Sequence, residues 1–240
     1  MASLALYWIP GSCARVPFVA LEEAGAEFEL RPINRYRGEH ETAAYRAINP
    51  KGKVPALVVD ETVVTEVPVV VQKLARLFPE AGLLPRGEED EIEALSLMAW
   101  FASSLHPSAG MQRFPNLYSD DATSLEGIRS KARADLRKGF TILESRFADG
   151  REWLFGRWSI VDVYAFYIWF RVVGSGFEAG DFPLYAAHAR RCEQRPSVAR
   201  VLDREEAVFA GYEAEGLLPE NLPAHQAGRL PAWLMGLPDA

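Results

Sequence analysis

The sequence predicts an α/β region followed by an all-helical region. Three observations carry this. Short β-type runs alternate with helical patterns up to Phe78; a Pro- and Gly-containing stretch from Pro79 to Gly87 follows; beyond it strand signals stop and 3.6-residue periodicities take over. The expected organisation is a mixed four-stranded sheet with helices over residues 1–82, a helical bundle over 88–215 and an extended tail over 216–240.

Leu4 to Ile9 is the first strand. Arg15 to Ala24 carries Val16, Val19, Ala20 and Leu21 on one helical face, and Gly25 supplies its stop. Phe28 to Ile33 reads as a second strand. A polar stretch, Asn34 to Thr42, leads to a short helix, Ala43 to Ile48, which must end before Asn49-Pro50. Ala56–Val59 and Val63–Thr65 are too close for a crossover helix, so they should pair antiparallel around Asp60-Glu61. Pro68 to Phe78 is a helix with proline at a tolerated first-turn position. After the linker, Glu88 to Leu105 and Leu125 to Phe147 keep apolar stripes, the first expected to terminate at His106-Pro107. Ser159-Ile-Val-Asp162 has the spacing of a capping box before the buried helix that runs to Phe170. Helices over Tyr185–Gln194 and Ser197–Ala210 complete the bundle.

Composition narrows the function classes. With 26 Lys plus Arg against 33 Asp plus Glu, the 240-residue chain carries net charge −7, which disfavours a broad nucleic-acid surface. Its two cysteines, Cys13 and Cys192, allow neither a disulfide framework nor a four-thiolate zinc site. The four histidines show no metal-ligand spacing, so no metal is expected. Phosphate-loop, GxSxG and dinucleotide-glycine motifs are absent from the sequence. The first ten residues show no secretion signal, and the apolar run Ile160–Val173 is broken by Asp162 and Arg171, short of the ~20 residues that span a bilayer. A soluble cytoplasmic protein is expected.

Four places can carry chemistry. Cys13 sits where the first strand hands over to the first helix; there, free amides and the helix dipole favour a thiolate, and Arg15 adds to the effect. An ordinary turn cysteine fits the local context equally. In Val54-Pro55, proline opens the third strand and leaves the Val54 backbone free to pair with a peptide-like ligand. At Thr65-Glu66-Val67, helix-start amides suit a carboxylate and Glu66 an ammonium, although an acidic residue also favours a helix start without any ligand. His106 stands at the expected end of a long helix, where interaction with the dipole is the simpler role.

Taken in order, these pieces resemble a glutathione S-transferase, most like the bacterial beta class. The resemblance rests on Leu6-Tyr-Trp-Ile-Pro-Gly-Ser-Cys13 followed by Leu21-Glu-Glu-Ala-Gly25, on Asn49 to Leu57, on Thr65-Glu66, on Ser104-Leu-His106 and on Ser159-Ile-Val-Asp162-Val-Tyr; it covers roughly residues 4–205. It implies a thioredoxin-like glutathione-binding domain, a helical domain that receives a hydrophobic electrophile, a detoxifying transferase with glutathione as cosubstrate, and a homodimer. Cys13, Ser12 and His106 then become the catalytic candidates: Cys13 at the glutathione sulfur, Ser12 lending an amide or hydroxyl, His106 facing the site from the helical domain. Trp8, which stands where the family has a tyrosine, together with Arg35, Arg37, Lys53, Val54, Pro55, Glu66 and Val67, becomes the glutathione-binding set. In that set a cis Pro55 holds Val54, Glu66 and the Val67 amide take the γ-glutamyl end, and Arg35 or Arg37 reaches the glycyl carboxylate. Ser103, Met111, Phe114, Leu117, Tyr118, Tyr164 and Tyr167 are pocket candidates, with core packing the commoner role for such aromatics. The chain departs from the family pattern at Ala14, Val67 and Pro107, the first two lacking a hydroxyl. That brings in thiol–disulfide or deglutathionylating chemistry, and noncatalytic glutathione binding, as alternatives to conjugation.

Overall fold

The computed structural model describes residues 2–218, and these divide into two compact units: one holds residues 2–84 and 195–218, the other Pro85–Gln194. In the first unit, β1 (Leu4–Trp8), β2 (Glu29–Pro32), β3 (Ala56–Val59) and β4 (Thr62–Thr65) form one sheet in the order β2-β1-β3-β4. Strands β1 and β2 are parallel because α1 (Arg15–Glu23) crosses between them, and the two-residue connection forces β3 and β4 antiparallel. Leu6 pairs with Leu30 on one side and Leu57 on the other, so the two central strands are buried while β4 lies at the edge.

Helix α1 stops as its sequence predicts. Gly25 adopts a left-handed φ of 57°, and the Ala26 and Gly25 amides bond the Leu21 and Glu22 carbonyls at 3.1 and 3.2 Å, a Schellman closure that a Cβ would disfavour. The polar stretch after β2 forms two short 3-10 turns before α2 (Ala43–Ile48), and α3 (Val67–Leu77) follows β4. Val70, Val71 and Leu74 of α3 are fully buried, and Trp8 packs edge-on against Phe18 of α1 at 5.2 Å.

The second unit contains α4 (Glu88–Trp100), α5 (His106–Arg113), α6 (Leu125–Arg146), α7 (Ile160–Val173) and α8 (Pro183–Glu193). Here one expectation is corrected. The helix from Glu88 does not terminate at His106-Pro107; it passes through a π-helical turn, Phe101–Leu105, into α5. Pro107 has no N–H to give and its ring crowds the preceding turn, and the widened turn lies immediately before it. The capping box at Ser159 forms as expected. The expected helical stretch 88–215 is helical to its end. Its last helix, α9 (Pro196–Ala214), belongs to the first unit, where it packs on α1. Charged pairs run along the two helices, Arg204 lies over the Phe18 ring at 5.6 Å, and Val198, Val201 and Leu202 of α9 are fully buried. Of the expected tail, Leu217 bonds back to the Tyr212 carbonyl at 2.9 Å, and everything after residue 218 lies outside the described residues.

Candidate functional site

The site is assembled in the first unit from three backbone features. The first is the turn between β1 and α1. Gly11 takes φ 72°, and the Ser12 amide and hydroxyl both donate to the Ile9 carbonyl, at 3.1 and 2.6 Å. The Ser12 hydroxyl also accepts from the Ala14 amide at 3.3 Å. Both donors expected from Ser12 toward a ligand are therefore engaged in building the turn, a correction to its expected role. The Arg15 and Val16 amides bond the Ser12 and Cys13 carbonyls, each at 3.1 Å, which fixes the cysteine against the helix start. Arg15 is corrected too: its guanidinium is buried and forked onto Glu205 of α9.

The second feature is the approach to β3. The Val54–Pro55 bond is cis. The half-buried Cys13 thiol donates to the Val54 carbonyl across 3.6 Å, which brings together two elements that the sequence separates by 41 positions. The Val54 N–H is engaged by none of the described residues. One residue earlier, the Lys53 carbonyl accepts from both the Tyr45 hydroxyl, at 2.8 Å, and the Asn49 side-chain amide. Burial pushes the Tyr45 phenol up to about 12, so it remains a neutral donor at physiological pH. The Gly52 turn needs glycine, since its φ is 61° and a Cβ would come within 3.0 Å of the His40 carbonyl. The Lys53 side chain itself is exposed.

The third feature is the start of α3. Glu66 adopts φ 71°, a left-handed conformation that non-glycine residues seldom take and that concentrates at functional sites. No side chain caps the α3 amides, and Lys51 bonds the Glu66 carboxylate and the Thr65 hydroxyl, the latter at 2.8 Å. The Lys51 ammonium thus stands where the sequence places a ligand ammonium.

The remaining candidates divide. Trp8 has no exposed surface, so its ring supports β1 from the core and has no face to offer a ligand. Arg35 and Arg37 are exposed on the turn capped by the Asn34 side chain, and Arg37 pairs with Glu215 at 2.7 Å. His106 lies in the second unit, 3.1 Å from the Tyr167 hydroxyl, the two rings packed edge to face at 5.3 Å. Tyr164 and Tyr167 are buried in the packing of α7, whereas Leu117 and Tyr118 are exposed. Cys192 is the buried cysteine expected, its sulfur 3.5 Å from the Asp162 carbonyl oxygen. Sequence reasoning assigned no role to Tyr45, Asn49 or Lys51. Asn49 alone left a signal, standing before Pro50 at a helix end, a favoured place for side-chain-to-backbone bonding. Among the described residues, no cluster of His, Cys, Asp or Glu could hold a metal.

These features define a class: a sheet-and-helix unit that sets a cysteine-bearing helix start beside a cis-proline edge, joined to a unit made only of helices. Comparison with known proteins is specific. The N-terminal domain model of glutathione S-transferases matches residues 11–77, which contain the whole constellation, and the C-terminal domain model matches 126–204. Glutathione S-transferase GstA of Escherichia coli O157:H7 is 30% identical over 206 residues, 83% of this chain and 98% of that protein. A glutathione transferase homologue from Sulfitobacter, solved with bound glutathione, is 27% identical, with a TM-score of 0.77 over 85% of this chain and 99% of that one. A glutathione transferase from Methylococcus capsulatus is 30% identical, with a TM-score of 0.71 over 90% and 100%. The chain belongs to the glutathione S-transferase family.

Proposed function

We propose that this glutathione transferase lays glutathione along the Val54 edge, with its γ-glutamyl end at Glu66 and the α3 amides and its sulfur beside Cys13, and transfers that sulfur to a hydrophobic electrophile. One observation carries the reading: the Cys13 thiol lies against the carbonyl of Val54, whose own N–H is engaged by none of the described residues, so an extended tripeptide pairing with that backbone brings its central cysteinyl sulfur to the thiol. Glu66 supplies the anion for the ligand ammonium, and the uncapped α3 amides suit its carboxylate. Lys53, Arg35 and Arg37 are exposed cations for the glycyl end. In this reading Cys13 stabilises the glutathione thiolate by hydrogen bonding, which raises the fraction available to attack.

The part-exposed Cys13 thiol also favours a second chemistry. Its thiolate attacks a protein–glutathione disulfide, forming the Cys13–glutathione disulfide and releasing the protein thiolate; a second glutathione then attacks, freeing Cys13 and leaving as glutathione disulfide. Calorimetry with glutathione, followed by conjugation and deglutathionylation assays on wild type and Cys13→Ala, separates the cases. Conjugation that survives in the variant removes Cys13 from the first chemistry, deglutathionylation lost in the variant establishes the second, and binding without either identifies a noncatalytic receptor. The reading extends to a cytoplasmic homodimer. Val63 and Val69, exposed on β4 and α3, offer apolar surface for a second copy, and none of the described helices is long and apolar enough to cross a membrane. A monomer by light scattering overturns the dimer.

A further inference from the structure

Helices α1 and α9 are joined by charged pairs in an antiparallel register. At the C-terminal end of α1, Glu23 receives Arg195, at 2.8 Å, and the Ser197 hydroxyl; Glu22 receives Arg200 at 2.8 Å and Arg204 at 3.4 Å. At the N-terminal end the polarity reverses: Arg15 is the cation, and its Nε and Nη2 donate to the two Glu205 oxygens at 3.2 and 2.6 Å. This last pair is the only one of these four ion pairs with both side chains at 0% exposure.

Two features of the inner pair go against local preference. A cation at the first position of a helix faces the positive end of the dipole, and a buried ion pair stabilises no better than well-packed apolar residues would. Conflicts of this kind concentrate where function demands them. The place of Arg15 supplies the demand: its amide bonds the Ser12 carbonyl, and the next amide bonds the Cys13 carbonyl, so wherever the fork holds Arg15, the cysteine turn follows. We infer that α9 sets the position of the Cys13 turn through the buried Arg15–Glu205 fork, which makes both side chains positioning residues for the transferase reaction. The inference rests on the proposed role of that turn, but its first test needs no glutathione.

The experiment compares Glu205→Gln with Glu22→Gln, which removes an outer rung of the same ladder. Amide hydrogen exchange at Arg15 and Val16 is expected to quicken at least tenfold in Glu205→Gln and to stay within threefold of wild type in Glu22→Gln. With glutathione and 1-chloro-2,4-dinitrobenzene, Glu205→Gln should lower kcat at least tenfold while KM for glutathione stays within threefold, because the Val54 edge is untouched; general loosening of the unit would raise KM as well. If Glu205→Gln does not fold, Arg15→Lys, which keeps the charge and loses the fork, carries the same thresholds. Exchange at Arg15 and Val16 within threefold of wild type in the folded variant, or a fall in kcat matched by the rise in KM, overturns the inference. If wild type itself shows no turnover with 1-chloro-2,4-dinitrobenzene, conjugation of that electrophile fails, and the exchange measurement alone decides the positioning.

Discussion

Replacing Asp162 by Asn should unfold the second unit at markedly lower temperature, and the size of the effect can be worked from the donors that converge on it. The carboxylate is fully buried and accepts four hydrogen bonds: from the Leu154 amide at 2.9 Å, the Ser159 amide at 2.8 Å, the Ser159 hydroxyl at 3.1 Å and His188 Nε2 at 2.9 Å. Two land on each oxygen. Asparagine turns one oxygen into an NH2 group, so two bonds to a charged acceptor are lost and the backbone amide on that side, of Leu154 or Ser159, is left facing a donor, while the Ser159 hydroxyl or the His188 ring can turn to accept. At ~1.5–3 kcal/mol for each such bond, the expected loss is about 3–5 kcal/mol, in the range for breaking a buried charge partner. For a chain of this size, at roughly 2–4 °C per kcal/mol, that corresponds to a fall in Tm of roughly 6–20 °C. Ser159→Ala removes one of the four donors and should cost about 1 kcal/mol. Urea and thermal unfolding of both variants at neutral pH measure the contrast. A loss below about 1 kcal/mol for Asp162→Asn, or an equal loss for the two variants, would refute the reasoning, because the network would then not be what starts α7.

The remaining predictions concern pH and the ligand. Burial pushes the phenols of Tyr45 and Tyr212 up to about 12, and that of the fully buried Tyr185 well above its ordinary value. Because the folded values lie above the ordinary 10.0, these tyrosines contribute stability that is whole below about pH 10 and lost as pH rises through 12. Ultraviolet titration should show phenolate forming late for Tyr45, and Tyr45→Phe should remove part of that alkaline loss; a phenol titrating at its ordinary value in the folded protein contradicts this. Lys51→Ala should tighten glutathione by up to about fivefold, since the displaced partner of Glu66 is an exposed ion pair of ~0–1 kcal/mol. Calorimetry at low salt checks it, and weaker binding would show that Lys51 contacts the ligand directly.

Much of this was legible in the sequence because it was local. Helix α2 and strand β3 fall at the residues the pattern indicates, and the Gly25 stop and the Ser159 capping box depend on residues within one turn of each other. The departures arise where distant groups decide. Pro107 reads as a terminator until the π turn before it takes up the ring. Helix α9 reads as one more amphipathic helix; its rungs to Arg15, Glu22 and Glu23 and the packing of Tyr212 on Tyr36 join it to the first unit through partners far away in sequence. Within the site, Cys13, Val54 and Glu66 stood out by residue type and position. Tyr45 did not, because its role depends on a carbonyl eight residues ahead that a folded loop brings within reach. Nor did the positive φ of Glu66, which no side-chain pattern announces. Ser12 misled for the opposite reason: its donors suit a ligand, and the turn uses both.

The most direct test of the central claim is a titration of isotope-labelled protein with reduced glutathione, followed by backbone amide resonances and by calorimetry in parallel. Saturable heat is expected, together with a cluster of shifted amides at Cys13, Val54, Glu66 and Val67, with Val54 the most perturbed because its N–H gains a partner. Heat without a shift at Val54, or no binding at all, contradicts it.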